Sequence, residues 1–103
     1  MTSQGTAHGR FTRAVANRNL RGAEMAAREL GRLSLDDALG LCALVAELDR
    51  PRFERAALRW LERFIVERLP PLPQVELAAA AFSRLGDGDR DDALTSLKRL
   101  ARR

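Results

Sequence analysis

The sequence has no tyrosine, one tryptophan, one cysteine, one histidine and, among eighteen basic residues, a single lysine. The lone Cys42 excludes an internal disulfide, and no Cys or His lies at zinc-ligand spacing from it. This suits a reducing compartment, so the cytoplasm is the expected location. His8 falls in "MTSQGTAHG", a small, polar, glycine-containing lead-in that reads as a disordered tail over residues 1–9, without a fixed partner or second ligand for the imidazole. Long hydrophobic runs are also missing. The longest uncharged apolar stretch, Ala38 to Ala46, is far short of a bilayer span, and the N-terminus has no apolar leader. Neither secretion nor membrane insertion is expected. With the only histidine in the tail, no Ser–His–Asp set can assemble. There is no Gly-rich phosphate loop, and paired carboxylates occur only at helix starts. The expectation is a protein that is not an enzyme, with no catalytic residue, metal or cofactor.

What is present is helical in kind. One hundred and three residues, 46% hydrophobic and rich in Ala and Leu, are enough for one compact domain, placed over residues 10–103. β-Branched residues are scarce after Gly31, which disfavours strands. The first helical stretch runs from about Arg10 to Leu30, with a break expected near Asn17 or Asn19, and Gly31 caps it. Ser34 and Asp37 form a capping-box start for a second helix reaching about Asp49. Pro51 opens a third, which stops before the stiff "LPPLP" elbow at Leu69–Pro73. A fourth spans about Pro73 to Leu85, and "GDG" separates it from a fifth over Asp89 to about Arg102.

The chain also resembles itself. A shift of 37 residues matches Leu48 with Leu85, Ala56 with Ala93 and Trp60 with Leu97; a shift of 33 sets Leu20, Ala23 and Met25 on Phe53, Ala56 and Leu58. Periods in the thirties suit helix–turn–helix units stacked as a solenoid. The expected fold is all-α: four to five antiparallel helices, arranged as a short tetratricopeptide-like α-solenoid or as a helical bundle.

Charge is distributed unevenly. Residues 1–33 hold Arg10, Arg13, Arg18, Arg21, Arg28 and Arg32 against Glu24 and Glu29, whereas the remainder is balanced, so attraction to anions is expected to act through the first third. The segment "RPRFERAALRWLERF" mixes arginines with aromatics, and a helical wheel separates them. Phe53, Ala56, Ala57, Trp60, Leu61 and Phe64 share one face; Arg52, Arg55, Arg59 and Arg63 share the opposite one. The rings are therefore expected to be core, unavailable for stacking on bases, and the arginine stripe to be a solvated face or a docking surface for an acidic partner. Leu58 and Ile65 flank the apolar face and suggest that this helix contacts neighbours on two sides.

Two further motifs reduce to structural roles. "AARELGRLSLDDAL" has helix-turn-helix elements, but its turn is one residue too long and its recognition helix opens with Asp36 and Asp37, the wrong charge for a phosphate-lined groove. "DGDRDD" spaces carboxylates like a calcium loop, yet Asp92 stands where glycine is needed and Lys98 where a bidentate glutamate is needed. Its acids suit a helix N-terminus instead. Cys42, amid Leu41, Leu44 and Val45, reads as a buried structural thiol.

The run "LSLDDALGLCALVAELDRPRFERAALRWLERF", above all "RFERAALRWLERF", together with the later "VELAAAAFSRL", resembles a group of small all-helical proteins of unknown function from high-GC actinobacteria. The resemblance covers about half of the chain. It implies a short helical-repeat-like domain and transfers no activity. The expected role is a non-catalytic protein-interaction or adaptor module whose partner is another protein or a second copy of the chain. The alternative is a nucleic-acid-binding accessory acting through the basic first third.

Overall fold

The computed structural model describes residues 6–102, and every regular element among them is helical. The elements are α1 (Ala7–Ala16), α2 (Leu20–Leu30), α3 (Leu35–Leu48), a 3₁₀ turn (Arg50–Arg52), α4 (Phe53–Arg68), α5 (Leu72–Gly86) and α6 (Arg90–Arg102). The all-α class is as expected, whereas the helix number is six rather than four or five because the first stretch divides. Asn17 ends α1, Arg18 takes a left-handed conformation with φ 58°, and the Asn19 side chain accepts the N–H of Gly22 at 3.0 Å to start α2.

The helical region also begins earlier than expected. The Thr6 hydroxyl accepts the N–H of Gly9 at 3.0 Å and starts α1 at Ala7, within the stretch assigned to the tail. His8 therefore has a partner, its Nε2 lying 2.9 Å from Oδ2 of Asp37. The rest of that tail, residues 1–5, lies outside the described residues. Ser34 caps α3 as its sequence predicts, its Oγ accepting the N–H of Asp37 at 3.0 Å, but the Asp37 carboxylate faces His8. Only half of the capping box forms. Leu69, at φ 47° and ψ 53°, closes α4 just before Pro70 and turns the chain into α5.

Pairs of contacting residues set the helix directions. His8–Asp37 and Arg18–Glu47 run α1 parallel to α3. The Trp60 indole N–H donates to the Leu35 carbonyl at 2.8 Å and the Cys42 thiol to the Ala56 carbonyl at 3.6 Å, which makes α4 antiparallel to α3. Arg90–Glu47 and Arg102–Asp36 bring α6 back along α3, again antiparallel. α3 touches every other helix. Its Leu35, Leu39 and the run Cys42–Ala46 are all buried, which leaves it no face to enter a DNA groove.

Two hydrophobic clusters meet on α3. The larger contains a chain of rings: Phe64 stacks on Trp60 at 5.2 Å, Trp60 meets Phe82 edge-on at 5.5 Å, and Phe82 lies 6.2 Å from Phe53. Gly86 permits the last approach, since a Cβ there would stand 3.0 Å from the Phe53 ring. The smaller cluster is Phe11, Ala14, Ala23 and Ala26 around Leu44. The core face read from α4 is correct: Phe53, Ala57, Trp60 and Phe64 are buried, and Ala56 and Leu61 are half-buried. The flanking Leu58 and Ile65, expected to meet a second neighbour, are instead 58% and 43% exposed. Both helices that pack on α4, namely α3 and α5, lie on the Trp60 side.

Candidate functional site

A cleft of about 1100 Å³ opens between α2 and α4, floored by α3. The way the chain folds accounts for its walls. α2 and α4 are each joined to α3 by a short connection and pack beside it, and their outer faces carry arginine. One wall is Arg28 and Arg32, from α2 and the segment after it; the other is Arg52, Arg55, Arg59 and Arg63. Ala27, Leu33, Ala38, Leu41 and Ala56 lie half-buried between them, above Cys42 and Trp60. Among the described residues Glu24 is the only acidic one of the lining.

Two ion-pair bridges cross this cleft. Arg52, just before α4, binds Glu24 of α2 through both terminal nitrogens at 2.8 and 3.2 Å, and its Nε is held by Asp49 at 2.6 Å. The hydrogen bonds that Arg52 donates to Glu24, then to Asp49, hold its guanidinium above even an arginine's usual range. Arg32 reaches Glu67 at the far end of α4 at 2.6 Å, and Arg63 donates to the same carboxylate oxygen at 2.8 Å. The bond from Arg63, reinforced by Arg32, holds the Glu67 carboxyl below the usual carboxylate range despite some desolvation. Arg28, Arg55 and Arg59, along the middle of the walls, make no described ion pair and are exposed.

The basic first third does not act as one surface. Arg10 pairs with Glu29, and Arg18 with Glu47, which also receives Arg90. Arg13 lies in the last turn of α1, and Arg21 is exposed on the first turn of α2. Only Arg28 and Arg32 reach the cleft, where they face the α4 stripe. The arginines that line the cleft thus come from both segments, Arg28 and Arg32 from the first third and Arg52, Arg55, Arg59 and Arg63 from the α4 stripe. Sequence reasoning missed Glu24 and the floor residues. Glu67, four residues after Arg63, was open to recognition as an i,i+4 partner.

Burial pushes the Cys42 thiol up from 9.0 to about 12, so at neutral pH it is an uncharged donor to the Ala56 carbonyl. Among the described residues no group of three or more His, Cys, Asp or Glu is placed to hold a metal, and no helix is long and apolar enough to cross a membrane. What the cleft can do is bind: fixed guanidiniums stand over an apolar floor that folding leaves half-covered. No protein-family model, curated protein or solved structure matches the chain.

Proposed function

We propose that the chain is a non-catalytic protein-interaction module, acting as one helical domain whose docking surface is the α2–α4 cleft. The observation that carries this reading is the trio Arg28, Arg55 and Arg59, unpaired above a half-exposed apolar floor. Unmatched cations beside incompletely buried apolar surface are what a partner supplies with acids and side chains of its own. A helical-repeat architecture is part of the proposal. Its support is that the shifts of 33 and 37 residues carry Leu20 onto Phe53 and Phe53 onto Arg90, the first residues of α2, α4 and α6. The return of α6 to α3 supports a bundle-like closure of the last three hairpin connections. The nucleic-acid reading has less support, because Arg10, Arg18 and Arg32 already carry internal carboxylates and the rings of Trp60 and Phe64 are buried.

The test compares wild-type protein with the triple variant Arg28→Ser, Arg55→Ser, Arg59→Ser as baits in lysate of the source cells. The expected result is a protein retained by the wild type and lost from the variant while both baits give the same helical spectrum. Identical sets of retained proteins, or none above background, overturn the reading.

A further inference from the structure

We infer that the cleft takes an acidic, leucine-type peptide segment, whose carboxylates displace Glu24 and Glu67 from the wall arginines while its apolar side chains cover the floor. The inference rests on the interaction reading and adds the chemistry of the partner. Its first ground is that arginines of the cleft already hold carboxylates. Glu24 lies on Arg52 at 2.8 and 3.2 Å, and Glu67 is shared by Arg32 and Arg63 at 2.6 and 2.8 Å. These are ordinary lengths for charge-assisted bonds, so the guanidiniums are set at a spacing that carboxylates satisfy. Glu24 belongs to the lining, Glu67 stands just outside it near the C-terminal end of α4, and the arginines between them leave the middle of the cleft cationic.

The second ground is the floor. Ala27, Leu33, Leu41 and Ala56 remain half-exposed between the charged walls, and water against them is released when an aliphatic side chain enters. A phosphodiester backbone has nothing apolar to place there, and it also lacks a ring to stack on, Trp60 being 2% exposed. Charge and floor together thus select an acidic and aliphatic peptide over RNA or DNA. Glu24 and Glu67 act as built-in competitors: a ligand must replace their bonds, so neutralising either one strengthens binding.

The sole tryptophan lies beneath the floor and supplies a local signal. Wild-type protein is titrated with a tryptophan-free peptide of repeated Glu-Leu-Glu-Ser units, and Trp60 emission is followed. Three probes serve as comparisons: the same peptide with Lys for Glu, the same with Ser for Leu, and a thymidine oligonucleotide of equal length. The expected result is saturable binding of the Glu-Leu peptide, none of the Lys peptide, and about tenfold weaker binding of the Ser peptide. Arg55→Ser with Arg59→Ser weakens the Glu-Leu peptide about tenfold or more, and Glu67→Gln tightens it a few-fold. Failure of the Glu-Leu peptide to bind, unchanged affinity in the arginine variant, or tighter binding of the oligonucleotide overturns the inference. Arginine-dependent retention of a cellular protein would still uphold the interaction reading in that event, so the two fail separately.

Discussion

The α1–α2 hairpin and the α3–α6 segment are both helical and both lean on α3, yet different forces hold them. The α3–α6 segment closes on Phe53, Trp60, Phe64 and Phe82, four rings in one connected chain. The hairpin has one phenylalanine, Phe11, packed with three alanines and Leu44 and flanked by partly buried aliphatics such as Val15, Leu20 and Leu30, and it is further tied by ion pairs or hydrogen bonds from His8, Glu24, Arg18 and Arg32 to later helices. Aliphatic and aromatic burial is not screened by salt, whereas exposed pairs weaken with ionic strength and contribute little each. One wall of the cleft therefore belongs to the firmly packed segment and the other to the more easily loosened one.

This contrast can be broken most directly at Trp60. Trp60→Ala removes a side chain that is 2% exposed, with two ring contacts and an indole hydrogen bond, and should lower the unfolding free energy by about 3–5 kcal/mol, read from the urea midpoint. Phe11→Ala should cost about 3 kcal/mol locally. Hydrogen exchange should then quicken in α1 and α2 while α3–α6 stays protected; uniform loss of protection would mean that the two regions unfold as one. Glu47→Gln, which strips a carboxylate from both Arg18 and Arg90, should cost roughly 1 kcal/mol, an effect that fades in molar salt.

Glu67 supplies a finer test through pH. Its folded-state pKa lies below the ordinary value, so its contribution is full above the unfolded pKa of about 4.3 and is lost as pH falls through the folded one. The stability difference between wild type and Glu67→Gln should shrink over that acid range; a constant difference would show that the bridge to α2 is not electrostatic. Least affected should be Arg55→Ser, with stability within about 0.5 kcal/mol of wild type. That result separates a binding role from a structural one.

The parts of the fold that depend on neighbouring residues were legible in the sequence. Ser34 and Gly31 mark their helix ends, the elbow at Pro70 is where it should be, and the wheel of α4 assigns its core and arginine faces. The cap at Thr6 was hidden in the small, polar, glycine-containing stretch that reads as a tail. The cleft was not legible, because it depends on how two distant helices lie beside α3. Nothing near Arg28 in the chain indicates that Arg55 and Arg59 line the same cleft, and nothing near Glu24 indicates Arg52. Periodicity gives the face a residue occupies on its own helix, not what stands opposite.

The double pairing at Glu47 gives the chain an unusual kind of closure. This carboxylate receives one cation from position 18, in the turn between α1 and α2, and another from position 90, at the start of α6. Two segments far apart in the sequence are thus answerable to a single charge near the midpoint, as two tenants share one anchor. Loosening the first hairpin would leave Arg90 as the one described cation on that carboxylate, so the bond at position 90 registers what happens at position 18.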